Sequence, residues 1–183
     1  MRQLLVITCL LLLWPLSARA QETPKVEVFG GYSYAYIEAG QERVNTNGWH
    51  ASIAINTRFR ALEIVADFNG TYGLLSGVDV DTHTALFGVR FSLRRERAMT
   101  FTHSLYGFSR LRADAAVLGE RIDGRTDTAF AFVPGGGGVD VKLSDRVALR
   151  VFQFDLLFTL WGRRDAQFHP RVSTGIVFRL GKK

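Results

Sequence analysis

The sequence predicts an all-β chain, an eight-stranded antiparallel up-and-down transmembrane β-barrel, and three observations carry that prediction. Apolar residues recur at every second position along the chain, which marks strands with two unlike faces. The connections between those strands alternate between long and short, as in barrels with short turns at one end and longer loops at the other. The polar strand positions are mostly Gly, Ser, Thr and Ala with a minority of charges, and only Lys25, Lys142, Lys182 and Lys183 supply lysine. A water-facing exterior of this area is ordinarily rich in lysine and glutamate.

The 183 residues suffice for one folded unit. Met1-Arg2, the apolar stretch Leu4 to Leu16 and the small-x-small site Ala18-Arg19-Ala20 have the layout of a cleaved secretory signal peptide over 1–20, with the barrel domain at 21–183. The apolar stretch is broken by Pro15 and falls short of the ~20 residues of a spanning helix. The one cysteine, Cys9, lies in this leader, so the domain has no disulfide, thiol nucleophile or thiolate metal cluster. Two of the 23 basic residues and none of the 17 acidic ones fall in the leader, which lowers the net charge from +6 to +4 and disfavours a nucleic-acid partner.

The first strand, at about 25–37, carries Tyr32, Tyr34 and Tyr36. The second, 48–57, alternates Trp49, Ala51, Ile53 and Ile55 with small or polar residues, and the third, 61–72, sets Leu62, Ile64, Ala66 and Phe68 against Glu63, Val65 and Asp67. The fourth, 82–93, sets Ala85, Phe87, Val89, Phe91 and Leu93 against Thr84, Leu86, Gly88, Arg90 and Ser92. The fifth runs over 99–111. The sixth, 126–142, contains Gly135 to Gly138, a sharp bend or a close backbone approach. No helix or Lys-Ser/Thr follows those glycines, so they are not a phosphate-cradling loop. In the seventh, 147–158, the apolar phase changes sides at Val151-Phe152-Gln153, which predicts a bulge. The eighth, 170–180, alternates Val172, Thr174, Ile176, Phe178 and Leu180 with Arg171, Ser173, Gly175, Val177 and Arg179. Most reach the 9–11 residues that cross a bilayer at a tilt. Long loops are expected at 38–47, 73–81, 112–125 and 159–169, with short turns at Thr57 to Arg60, Arg94 to Ala98 and Ser144 to Arg146.

Eight strands leave a lumen just wide enough for side chains. The candidate lumen charge network is Glu63, Asp67, Arg90, Asp140, Lys142, Arg150, Asp155, Arg171 and Arg179, with Glu27 and Arg110 as further candidates. Charges in so narrow a space must pair, as a polar plug or as an ion path. Tyr32, Tyr34, Tyr36, Trp49, Tyr72, Phe101, Tyr106 and Trp161 are expected in aromatic girdles near strand ends, and Phe87, Phe91 and Phe178 against acyl chains.

Catalytic chemistry finds little support in this pattern. Among His50, His83, His103 and His169, only His103 adjoins a serine, Ser104, and neighbours on a strand point to opposite faces. The close carboxylates Asp79 and Asp81, and Asp123 and Asp127, match turn chemistry better than a calcium loop, so no metal or cofactor is expected. Arg112, Arg121, Arg125, Arg163 and Arg164 fall in the long connections, where they are solvated or meet lipopolysaccharide phosphates.

At the C-terminus, Ser173-x-Gly175-x-x-Phe178-x-Leu180 resembles the final-strand assembly signal of outer-membrane β-barrel proteins. Asp67-Phe68, Phe87-Gly88 with Arg90-Phe91, and Val172 to Gly175 are similar to strand patterns of the small outer-membrane barrel family, the OmpA-like transmembrane domain. The resemblance implies an outer-membrane location in a Gram-negative-type cell, escort by periplasmic chaperones and insertion by the barrel-assembly machinery, which reads the last strand. The sequence departs from the family in ending Leu180-Gly181-Lys182-Lys183 and in carrying no peptidoglycan-binding domain after the barrel. Some barrels of this size deacylate lipid A with His and Ser two apart, a spacing that His103-Ser104 does not have. The expected product is a monomeric, non-enzymatic barrel with a filled lumen, in contact with outer-membrane lipid and lipopolysaccharide. Its role is structural or a surface interaction through long loops. A small pore, a lipid-modifying enzyme and a soluble ligand-binding barrel are the alternatives.

Overall fold

The computed structural model describes residues 24–39, 42–59, 61–75, 78–117, 120–161 and 165–181. The expected leader 1–20, with Cys9, lies outside the described residues, as do Arg163, Arg164, Lys182 and Lys183. Eight strands follow in order: β1 (Val26–Ala39), β2 (Glu42–Asn56), β3 (Leu62–Leu75), β4 (Val78–Arg94), β5 (Ala98–Val117), β6 (Glu120–Lys142), β7 (Val147–Trp161) and β8 (Asp165–Leu180). Each pairs antiparallel with its sequence neighbour, and β8 returns to β1 to close the barrel. Closure leaves no free edge within the ring, so apart from the bulges its backbone donors and acceptors pair along continuous ladders.

Alternation sorts the side chains into two populations. Glu27, Phe29 and Ser33 on β1, Glu63, Val65 and Asp67 on β3, and Leu86, Arg90 and Ser92 on β4 are buried inside the ring. Their neighbours Ile64, Phe87, Val89, Phe91 and Phe178 stand on the outer wall, with Ile64 58% and Phe87 57% exposed. A cluster of Ala54, Val65, Leu86, Leu105, Ala131, Val133 and Leu157 fills the apolar part of the interior, and a smaller one joins Phe29, Ala148 and Val177.

Besides a skip between Ala113 and Ala115 in the β5–β6 ladder, two irregularities adjust the register. The β6 ladders to both β5 and β7 skip at Pro134-Gly135, passing from Val133 or Phe132 directly to Gly136. Proline has no backbone N–H to give a ladder, so a bulge is where a strand accommodates it. The β7–β8 ladder skips between Arg150 and Gln153, at the point where the apolar phase of β7 changes sides.

The expected long loops are instead continued strand. Ladder pairs run to Ala39–Glu42, Leu75–Val78, Val117–Glu120 and Trp161–Asp165, so segments 38–47, 73–81, 112–125 and 159–169 are mostly hairpin arms. A paired backbone needs no apolar face to hold its ladder, and polar runs such as Glu42 to Asn47 therefore hide their strand character from an alternation pattern. The ring opens at this end. Pairing stops at Ala35–Arg171 between β1 and β8, at Asn47–Tyr72 between β2 and β3, and at Phe130–Leu160 between β6 and β7. Beyond those pairs the sheet divides into a β1–β2 hairpin, a four-stranded β3–β6 sheet and a β7–β8 hairpin. Pro170 sits on β8 just past its last pair with β1.

Candidate functional site

Alternate residues of all eight strands converge in the lumen and form two hydrogen-bonded networks. In the one nearer the chain termini, Arg90 of β4 lies between two carboxylates, its Nε donating to Glu63 and an Nη to Glu27. Arg94, four residues on and in the same phase, donates to Glu27 at 2.8 Å and to Glu63 at 2.5 Å. The Arg179 Nε reaches Glu27 at 3.2 Å, and the Ser92 hydroxyl donates to Glu63 at 3.0 Å. The second network runs across the middle of the barrel. His50 Nε2 meets Asp67 at 2.6 Å, and Asp67 accepts from an Arg171 Nη at 3.0 Å. Arg171 also donates twice to Asp155, at 2.6 and 2.9 Å. Asp155 then contacts His103 at 2.7 Å and accepts from Gln153 at 2.9 Å. Gln153 in turn accepts from Arg150 at 2.7 Å, and Arg150 forks onto Asp140 at 2.8 and 3.1 Å.

Phe101 joins the two networks. The Arg90 guanidinium lies 5.0 Å and the Arg150 guanidinium 4.5 Å from its ring centre, and Arg150 is also 4.3 Å from the ring of Phe29. The ring stands against both cations, whose N–H groups also point at carboxylates. The lumen charges balance: Glu27, Glu63, Asp67, Asp140 and Asp155 against Arg90, Arg94, Arg150, Arg171 and Arg179. In a low-dielectric interior an unmatched charge costs several kcal/mol, so equal numbers of each sign are what such a lumen tolerates.

Glu63, Asp67, Arg90, Asp140, Arg150, Asp155, Arg171 and Arg179 thus all project inward, together with Glu27. Three expectations need correction. Lys142 lies at the barrel rim, exposed and paired with Asp145 of the β6–β7 turn at 2.6 Å, because it is the last residue of β6 and the turn begins beside it. Arg110 shares its phase with Tyr106 and Phe108 and points to the outer wall. Phe101 shares its phase with His103 and Leu105, so it is buried inside and not part of a girdle. The girdle residues Tyr32, Tyr34, Trp49, Tyr72 and Tyr106 do stand on the outer face, while the side chain of Trp161 lies outside the described residues.

Sequence reasoning missed Arg94, Gln153, Phe29 and His103 as members of the networks, while His50, expected at an interface or in the lumen, is in the lumen. Arg94 was legible, since it continues the Arg90–Ser92 phase by one more step. Gly136 was legible only as a glycine: a Cβ there would lie 2.4 Å from His103 Nε2 and 2.5 Å from Asp155 Oδ1. The bare backbone is what gives the His103–Asp155 pair its room.

Among the described residues, neither His–Ser pair close in sequence is arranged as base and nucleophile. His103 faces inward while Ser104 lies on the other side of β5. His50-Ala51-Ser52 has the two-residue spacing, and both side chains are buried in the lumen, away from the lipid-side wall. One His50 nitrogen is taken by Asp67 and the other, Nδ1, has no hydrogen-bond partner, so His50 does not bridge Ser52 to the acid as a catalytic base must. Among the described residues no group of three His, Cys, Asp or Glu side chains is arranged to hold a metal ion.

On the outer wall, Phe108, Phe130, Phe132, Phe158 and Phe168 touch in sequence around β5 to β8, with ring centres 5.1–6.3 Å apart, and Phe68 meets Phe87 edge-on at 6.0 Å. Trp49 donates to the Tyr72 hydroxyl at 3.3 Å, and that hydroxyl is 3.3 Å from His83 Nε2.

No family model matches the sequence, and no curated protein is similar to it at a significant level. Solved structures do share the architecture. The attachment invasion locus protein Ail of Yersinia pestis superposes with a TM-score of 0.61 at 15% identity, over 86% of this chain and 99% of that one. Neisserial surface protein A superposes at 0.64 and 11% identity, over 85% and 97%. Ail in complex with the heparin analogue sucrose octasulfate gives 0.56 at 14% identity, over 86% and 99%. At these identities the likeness is one of fold: a small eight-stranded barrel whose length this chain matches almost end to end.

Proposed function

We propose that the chain is an outer-membrane barrel with a sealed lumen, which presents its hairpin ends to the cell exterior in a structural or surface-interaction role and has no catalytic activity. One observation carries the reading: large apolar side chains cover the outer wall while the charges are collected, paired and buried inside. In water this distribution is inverted, since a soluble barrel exposes charge and buries phenylalanine. In a bilayer it is the expected arrangement, with an outward apolar band flanked by aromatic residues. The soluble ligand-binding alternative requires Phe87, Phe91 and Phe178 inside, and they are outside.

Export through a cleaved leader over 1–20 and insertion by the barrel-assembly machinery through Ser173, Gly175, Phe178 and Leu180 belong to the same reading. So do transit with periplasmic chaperones, contact with outer-membrane lipid and lipopolysaccharide, and a monomeric state. The fold neighbours named for attachment, invasion and the cell surface are in keeping with an interaction role for the three separate hairpin groups at the open end. Against a conducting pore stands the filled cross-section: Arg150, Arg171, Phe29, Met99 and Gln153 are among the largest fully buried side chains.

The test is a heat-modifiability gel on separated membrane fractions, followed by planar-bilayer recording. A boiling-dependent mobility shift confined to the outer-membrane fraction, with no conductance steps, is expected. A soluble periplasmic protein without a shift overturns the membrane reading, and regular conductance steps overturn the sealed lumen.

A further inference from the structure

Three outward residues lie side by side across β4, β5 and β6. His83 pairs with Arg110, and Arg110 pairs with Thr128. Neighbouring strands are about 4.8 Å apart, so this rung sets an imidazole, a guanidinium and a hydroxyl over less than ~10 Å. Arg110 is exposed and makes no ion pair, hydrogen bond or ring contact among the described residues. One rung nearer the termini lie Ala85, Phe108 and Phe130, where the phenylalanine belt begins. An unpaired guanidinium directly above a belt of phenyl rings has one foot in the apolar zone and needs an anion.

Two details give the place its shape. Ala85 is flanked by Phe68 on β3 and Phe108 on β5, so a small side chain separates two large ones and leaves a shallow trough between them, with Phe87 next on that face of β4. Trp49, Tyr72 and His83 form a hydrogen-bonded row beside the rung, and Gly70 leaves the space Trp49 occupies, since a Cβ there would lie 2.5 Å from the indole nitrogen. Tryptophan and tyrosine sit at the headgroup level of a bilayer, which sets the rung at that level independently of Arg110. The next rung outward, Asp81–Arg112–Thr126, places a carboxylate opposite Arg112 and makes a poorer anion site.

We propose that the His83–Arg110–Thr128 rung binds a phosphate of lipopolysaccharide's lipid A, with one acyl chain lying in the Ala85 trough between Phe68 and Phe108. Arg110 supplies the planar donor fork that suits phosphate. Thr128 adds a hydroxyl donor and His83 a ring nitrogen. The rung lies on the side of the belt away from the chain termini, which is the outer leaflet in the membrane reading on which this inference rests.

Native mass spectrometry of the barrel released from nanodiscs tests it, with lipid A, dephosphorylated lipid A and phosphatidylglycerol as competing lipids. Wild type should retain lipid A at least tenfold better than the other two. Arg110→Gln should lose about tenfold, the scale of one charge-assisted hydrogen bond, and Ala85→Phe should lose lipid A by filling the trough while leaving Arg110 in place. A heat-modifiability shift of each variant in the same nanodiscs shows that the barrel is inserted. If wild type fails to insert, the membrane reading falls. If it inserts but holds phosphorylated and dephosphorylated lipid A equally, holds phosphatidylglycerol as well as lipid A, or is unaffected by Arg110→Gln, the lipid site alone is overturned.

Discussion

Replacing Arg171 by methionine removes a fully buried guanidinium that two carboxylates share. Asp155 loses contacts at 2.6 and 2.9 Å and Asp67 one at 3.0 Å. Breaking a buried pair by deleting one partner costs about 3–5 kcal/mol, because the remaining charge stays buried without compensation. Here the loss falls at the lower end, about 3 kcal/mol, since His50 still contacts Asp67 and His103 and Gln153 still contact Asp155. That is roughly a hundredfold in the unfolding equilibrium. With a urea dependence of ~2 kcal/mol/M, the midpoint of reversible unfolding in micelles or vesicles, followed by tryptophan fluorescence, should fall by ~1.5 M. The combined variant Asp67→Asn, Asp155→Asn and Arg171→Met takes away the stranded charges as well and should regain most of the loss. An Arg171→Met protein within about 1 kcal/mol of wild type, or a combined variant as weak as the single one, would refute the claim that paired charge holds the lumen together.

Gly136→Ala should destabilise by about 1–3 kcal/mol by forcing His103 from Asp155, whereas Gly135→Ala, with nothing within 4 Å of its Cβ, should be nearly neutral in the same urea titration. Phe101→Ala should cost about 3–5 kcal/mol, since it leaves Arg90 and Arg150 facing across a void; planar-bilayer recording of this variant should show conductance steps that wild type lacks. Phe178→Asp places a charge on the outer wall within the expected assembly signal, and the heat-modifiable form in the outer-membrane fraction should fall sharply; assembly at the wild-type level would count against both roles of that residue.

The barrel was legible because period-two alternation survives wherever one face is an apolar outer wall and the other a packed interior. Glu63, Asp67 and Arg90 could be assigned inward because Ile64, Phe68 and Phe91 fix the phase around them. The same rule fails where the outer face no longer needs to be apolar, which is why the ladder through Glu42 to Asn47 looked like loop. It also fails at rims: Lys142 keeps the phase of Asp140 yet meets the turn instead of the lumen. Arg110 and Phe101 were misplaced although their phases were readable from Phe108 and His103, since residue type was weighed above periodicity. Which charges pair could not be read at all. Arg171 reaches Asp67 from 104 residues away, and Arg90 reaches Glu27 from 63, across a ring that alternation does not describe.

Those distant partners bear on how the barrel completes itself. β8 carries Arg171 to Asp67 on β3 and Arg179 to Glu27 on β1, so Asp67 and Asp155 gain their arginine only when the last strand is in place, while Glu27 gains a third. A sheet one strand short would hold Asp67 and Asp155 without Arg171, with only His50, His103 and Gln153 beside them. The interior therefore proofreads its own wall. A partial sheet is penalised through its stranded charges, and that penalty is lifted only once all eight strands are counted in.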